Sequence, residues 1–174
     1  MLAGLPDQLD FWRAVAGRLT FQGDLGFSEL PRLLDAVLDE QGSVRFDLGF
    51  ERDSEGRGTL LATLDAVVEL ECQRCLGRME FPVSVRLRFA AVGGVDQAAA
   101  LPDMYEPLLI EDGLIRPKDL IEDELLLALP LIPRHAAAAC LDPTVAAAGT
   151  PGDGQSAGPF AVLAEWRAAH SKSI

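Results

Sequence analysis

The sequence predicts an α+β fold: an antiparallel sheet around one long central hairpin, covered by two helices and followed by a flexible C-terminal tail. Three observations predict it. Between Val44 and Phe89 apolar residues recur at every second position in long runs, the period of strands with one wet face. Two other stretches, 28–42 and 116–130, switch to helical spacing with a proline close to the start. Residues 143–158, PTVAAAGTPGDGQSAG, have no period at all, and such small residues cannot offset the entropy of ordering. The organisation expected is one α+β domain over 1–142, a flexible linker over 143–158 and an amphipathic tail over 159–174.

Each element follows from its own pattern. In FWRAVAGRLTFQGDL the apolar residues Phe11, Val15, Leu19 and Phe21 alternate loosely and read as a first strand. SELPRLLDAVLDEQG reads as a helix. Ser28 is its N-cap, Pro31 lies in the first turn, where a missing N–H is harmless, and Gly42 ends it. Leu30, Leu33, Leu34, Val37 and Leu38 form the stripe that faces the sheet.

From Ser43 the period becomes two: Val44, Phe46, Leu48 and Phe50 alternate with Arg45, Asp47, Gly49 and Glu51. RDSEGRG, 52–58, is the polar turn that follows. The central hairpin is next. LLATLDAVVELEC places Leu64, Ala66, Val68, Leu70 and Cys72 on one side, with Thr63, Asp65, Val67, Glu69 and Glu71 on the other. FPVSVRLRFA places Phe81, Val83, Val85, Leu87 and Phe89 opposite Ser84, Arg86 and Arg88. Tyr105 with Leu108, Leu109 and Ile110 suits a short edge strand.

RPKDLIEDELLLALP is the second helix, opened by Pro117 and closed by Pro130. Asp119, Glu122, Asp123 and Glu124 crowd its first half, where acids are favoured by the helix dipole. They read as a solvated, stabilising patch, with an acidic docking surface as the alternative. In the last stretch, PFAVLAEWRAAHSKSI, a helix would align Phe160, Leu163 and Ala164, with Val162 and Trp166 beside them. Such a tail is either a latch on its own domain or a ligand for another protein.

Composition excludes several functions. Of 174 residues 49% are hydrophobic, enough for one substantial core. No run of about 18 apolar residues occurs, and MLAGLPDQLD lacks the basic start of a secretory signal. A cytoplasmic chain without a membrane partner is expected. The net charge of −12 repels phosphate backbones unless basic residues cluster. They do so locally: Arg74, Arg78, Arg86 and Arg88 fall within 15 positions of the hairpin. A positive strip there suits RNA phosphates or a partner. The alternative is that Arg86 and Arg88 face Asp65 and Glu69 and merely balance charge. No aromatic residues interleave with these arginines, so base stacking is not indicated.

Three cysteines do not make a disulfide framework. Two of them form the CxxC of ECQRCLGRMEF, residues 71–81. A redox CxxC is usually activated by a helix N-terminus, whereas this pair lies between two strands in a turn where Gly77 offers a positive φ. A closed metal site needs four donors, with thiolate and imidazole preferred by zinc. LPLIPRHAAAACLDP supplies His135 and Cys140. One structural zinc on Cys72, Cys75, His135 and Cys140 would clasp the hairpin tip to the segment after the second helix. The other reading, in which the thiols simply fill space, stays open.

LECQRCL on a hairpin, LPDMYEPLLI, DLIEDELLLALPLIPRH followed by a cysteine, and GPFAVLAEW occur in this order. Together they resemble the YceD family, the bacterial large ribosomal RNA subunit accumulation proteins. The resemblance covers about residues 60–166 and, more loosely, the first strand and helix. It implies a cytoplasmic protein needed for synthesis, processing or stability of large-subunit ribosomal RNA. Its partners would be that RNA or precursor ribosomal particles, reached directly or through another protein, with no small-molecule substrate and no known enzymatic activity. By position it carries over Cys72, Arg74 and Cys75; Glu122, Asp123 and Glu124; Pro133, His135 and Cys140; and Pro159, Phe160 and Leu163 in a docking tail that Trp166 would also anchor. The four alanines between His135 and Cys140 depart from the polar or acidic residues expected there.

Two other classes stand beside this reading. A metal-dependent RNA hydrolase would hold magnesium on Glu122, Asp123 and Glu124, but consecutive helix positions diverge by about 100° and cannot share a face. A redox sensor would form a reversible CxxC disulfide.

Overall fold

The computed structural model describes residues 4–136 and Cys140, all within a compact unit spanning Met1–Cys140. The elements run Leu9–Asp10 (β1), Phe11–Gly17 (α1), Thr20–Gly26 (β2), a 3-10 turn at Phe27–Glu29, Pro31–Leu34 (α2), Ser43–Arg52 (β3), Gly58–Glu71 (β4), Arg78–Val92 (β5), Val95–Ala99 (α3), Glu106–Leu109 (β6), Leu114–Ile115 (β7) and Pro117–Ala128 (α4). The main sheet has the order β2-β3-β4-β5-β6. Its strands are antiparallel except for β6, which joins β5 in parallel at the edge. β1 and β7 form a separate antiparallel ribbon. The fold is α+β.

The period of two fixes which face is dry. Val44, Phe46, Leu48 and Phe50 of β3 and Leu60, Ala62, Leu64, Val68 and Leu70 of β4 are buried together, while Arg45, Asp47 and Asp65 on the alternate positions are exposed. β5 adds Val83 and Phe89, and helices close the face with Phe11 and Val15 of α1, Leu33 of α2, and Ile121 and Leu125 of α4.

Two of the expected elements change form. Phe11–Gly17 is a helix, and the strand starts only at Thr20. Phe11, Val15 and Leu19 are four apart, a spacing that fits either period, and local chemistry decides between them. The Asp10 carboxylate accepts the Arg13 N–H at 2.9 Å as an N-cap, and Arg18 ends the helix at φ 47°. The helix expected over 28–42 shrinks to the single turn of α2 behind the 3-10 turn. Ser28 is not its cap: Leu30 occupies that position, and its own side chain makes no bond to the helix end. Tertiary bonds take over the rest of the segment. The Leu38 N–H donates to Glu69 O of β4 at 2.8 Å, leaving Leu38 largely exposed. Gly42 lies beneath Phe27, whose N–H donates to Gly42 O at 2.9 Å, and a Cβ on Gly42 would stand 2.1 Å from Phe27 Cε2.

The edge strand at 106–109 and the helix from Pro117 form as expected. Among the described residues no helix is long and apolar enough to cross a membrane. The expected linker, 143–158, and tail, 159–174, lie outside the described residues.

Candidate metal centre

The two longest strands, β4 and β5, end at Glu71 and restart at Arg78, so CQRCLG must reverse the chain in six residues. It does so through two backbone bonds, Cys72 N–H to Gly77 O at 2.9 Å and Leu76 N–H to Cys72 O at 2.8 Å. The left-handed position is Leu76, at φ 58°, rather than the expected Gly77. A branched, exposed residue held there carries strain of roughly 1 kcal/mol. From the other side comes the chain beyond α4, which Pro130 stops. Pro133 O accepts the Gln73 N–H at 2.9 Å, laying 133–135 along the hairpin tip.

This junction brings Cys72, Cys75, His135 and Cys140 together, with one donor atom of each within 4.8 Å of all the others. Cys72 Sγ lies 3.5 Å from Cys140 Sγ, and His135 Nδ1 lies 3.4 Å from Cys75 Sγ and 3.5 Å from Cys140 Sγ. A tetrahedral ion with bonds of about 2.3 Å to sulfur and about 2.0 Å to nitrogen requires donor separations of about 3.5–3.8 Å. The spacing fits, and three thiols with one imidazole are donors suited to a soft, four-coordinate metal. The reading in which these thiols merely fill space accounts for Cys72, which is buried, but not for Cys75, which is exposed.

The surroundings set the donors' protonation. His135 Nε2 lies 3.1 Å from Arg78 O. A carbonyl only accepts, so Nε2 carries the proton and the Nδ1 lone pair faces the sulfurs. Burial alone would raise the Cys72 thiol. Backbone N–H groups of His135, Arg74 and Cys75, together with the Cys140 thiol, outweigh it and lower Cys72 to about 5. Burial and the neighbouring sulfurs of Cys72 and Cys75 push Cys140 up to about 11. The two titrate as a pair, with the first thiolate on Cys72. The missing helix N-terminus is thus replaced by backbone donors of His135 and of the turn itself, which a sequence pattern does not reveal.

The four arginines of the predicted strip do not form one patch. Arg74 and Arg78 belong to the tip, whereas Arg86 and Arg88 lie eight and ten residues further along β5, about 26–33 Å of extended chain from Arg78. The expected charge balance of Arg86 and Arg88 with Asp65 and Glu69 does not form. Thr63 faces Arg86, Leu61 faces Arg88, and Asp65 and Glu69 face Ser84 and Glu80. Glu69 instead pairs with Arg78 at 2.6 Å. Among the described residues Arg74, Arg86 and Arg88 have no ion pair. Arg134, next to His135 and exposed, joins the tip, and nothing in its spacing along the sequence marks it.

Glu122 is not part of a solvated patch. It is 3% exposed; Oε1 accepts the backbone N–H groups of Arg32 and Leu33 at 2.6 and 3.1 Å, and Oε2 accepts Arg32 Nε at 2.7 Å. It caps α2, which has no side-chain cap of its own. Arg32 also holds Asp123, and burial, followed by Glu106 and Asp123, raises the Glu124 carboxyl. Pro159, Phe160, Leu163 and Trp166 lie outside the described residues.

The profile of the family described as "Large ribosomal RNA subunit accumulation protein YceD" matches residues 60–165. A curated protein of that description from Haemophilus influenzae is 31% identical over 137 residues, 78% of this chain and 79% of the relative. No solved structure matches.

Proposed function

The chain belongs to the YceD family of large ribosomal RNA subunit accumulation proteins, and from that membership we propose that it is a non-enzymatic factor in the synthesis, processing or stability of large-subunit ribosomal RNA. Its working part is the hairpin tip, pinned to the chain after α4 by one zinc ion on Cys72, Cys75, His135 and Cys140. The observation that supports this reading is the convergence of four metal donors from segments some 60 residues apart. Zinc neither oxidises nor reduces its ligands, and a site closed by four protein donors leaves no position for substrate. The ion serves shape.

The pinned tip offers a docking surface for ribosomal RNA or for a protein of a precursor particle. Arg74 and Arg134 supply positive charge on a molecule of net −12, and Leu76, Leu131 and Ile132 are exposed around the same backbone junction. Exposed apolar groups beside cations suit a macromolecular partner better than a small substrate. The engagement of Glu122 with Arg32 and two backbone N–H groups argues against a magnesium-dependent hydrolase on that helix.

Depletion of the protein in cells lowers mature large-subunit RNA relative to small-subunit RNA, and re-expression of Arg74→Glu with Arg134→Glu fails to restore it. Unchanged RNA on depletion removes the proposed role; full rescue by the double variant removes the docking surface. Protein purified without a histidine tag or chelator contains close to one zinc per chain, and clean protein with none removes the clasp.

A further inference from the structure

Three thiols gathered at one point have a second chemistry besides coordination. We propose that Cys72 and Cys140 form a reversible disulfide under peroxide, exchanging the metal pin of the hairpin tip for a covalent one. The inference rests on the metal reading above. The contact it uses is one of those that fit the metal, and it allows a bond with or without an ion: the two sulfurs lie 3.5 Å apart although the residues are 68 positions apart in the chain. The sequence points instead to the neighbouring cysteines of the CxxC.

The two partners have different surroundings. Cys140 is half-buried and open to a small oxidant, whereas Cys72 is buried, with its sulfur receiving the His135 N–H at 3.4 Å. Bound to zinc, both are thiolates. Cys140 Sγ attacks one oxygen of hydrogen peroxide; an S–O bond forms, the O–O bond breaks, and hydroxide leaves, giving a sulfenic acid. Cys72 Sγ then attacks that sulfur; the S–S bond forms, the S–O bond breaks, and a second hydroxide leaves. Two thiolates and one peroxide become one disulfide and two hydroxides, with the sulfurs together losing two electrons to oxygen. Only Cys75 and His135 would then remain to hold an ion, too few for a closed site. Two equivalents of a small thiol reverse the bond, forming their own disulfide and returning both cysteines.

The competing target is Cys75, the most exposed of the three, and the experiment separates it. Tag-free, zinc-loaded full-length protein is titrated with stoichiometric hydrogen peroxide. Zinc release is read with a chromogenic chelator, free thiols by titration, and linkages by mass spectrometry without reduction. The expected result is a fall from three thiols to one, one zinc released per disulfide, a single 72–140 cross-link, and full reversal by dithiothreitol. Cys75→Ser still forms the 72–140 link, and Cys140→Ser forms no intramolecular link. A 72–75 or 75–140 bond as the main product overturns the proposal, as do thiols that stay reduced or pass straight to sulfinic acid. If the protein proves metal-free as purified but still forms the 72–140 link, the zinc reading fails and the disulfide stands.

Discussion

Glu122 is the residue on which the helical side of the molecule turns. Its carboxylate takes two backbone N–H groups and a guanidinium N–H inside the protein, so any change that turns an acceptor oxygen into a donor leaves buried groups facing each other wrongly. Glu122→Gln, nearly the same shape, is expected to cost about 2–3 kcal/mol. Urea unfolding checks it: the midpoint falls while the slope is unchanged. At this scale legibility depended on residue type. Cysteine and histidine are rare in the chain, so two short pairs of them stand out in the sequence itself. Arginine and glutamate are common, and Arg32 and Glu122, 90 positions apart, carried no mark that they would meet. The donors that tune Cys72 and orient His135 are backbone groups, which every residue has and which no sequence distinguishes.

Among the elements, the strands were legible and the short helices were not. β3, β4 and β5 turn every second side chain toward the core over long runs, fully buried in β3 and half-buried at Phe81, Val85 and Leu87 of β5, so one period explains the whole segment. α1 was hidden because Phe11, Val15 and Leu19 suit either period, and its decisive cap, Asp10, lies just outside the apolar pattern. The 28–42 helix was overridden by tertiary bonds to Leu38 and by the approach of Phe27 to Gly42. That approach is itself testable. Phe27 is fully buried and cannot swing away, so Gly42→Ala is expected to destabilise by about 1–3 kcal/mol, read as a lower thermal midpoint with the strand signal in circular dichroism retained. The β3–β4 turn makes a different claim. Burial raises the Asp53 carboxyl, but hydrogen bonds from the Arg57 and Glu55 backbone, the Arg57 side chain and Tyr105 together hold it below the usual carboxylate range. A carboxylate whose folded pKa is depressed contributes stability that is complete above its unfolded value, about 4, and is lost as pH falls through the folded one. Asp53→Asn is therefore less stable than the parent at neutral pH, and the gap narrows below about pH 4 in denaturant titrations across that range.

At the scale of the whole molecule, the proposed zinc ion would join the hairpin tip to the chain after α4 alongside the hydrogen bonds of Pro133 and His135. Stripping it with a tight chelator is expected to lower the melting temperature by several degrees, with recovery on adding zinc back. Insensitivity of the melt to both treatments removes the structural role of the ion. The pairing of β1 with β7 has a consequence for how the chain assembles. Leu9 must find Ile115, and the Phe11 N–H must find Gly113 O, across about a hundred intervening residues. The β4–β5 ribbon closes over a six-residue turn and zips locally within microseconds, while β1 cannot be paired until the polypeptide has been extended past β7. Contact order of this kind slows the final step. During translation the oldest part of the chain is thus fastened in two stages: Phe11 can settle on Phe50 once β3 has emerged, whereas Leu9 and Asp10 find their partners only when nearly the whole domain is out.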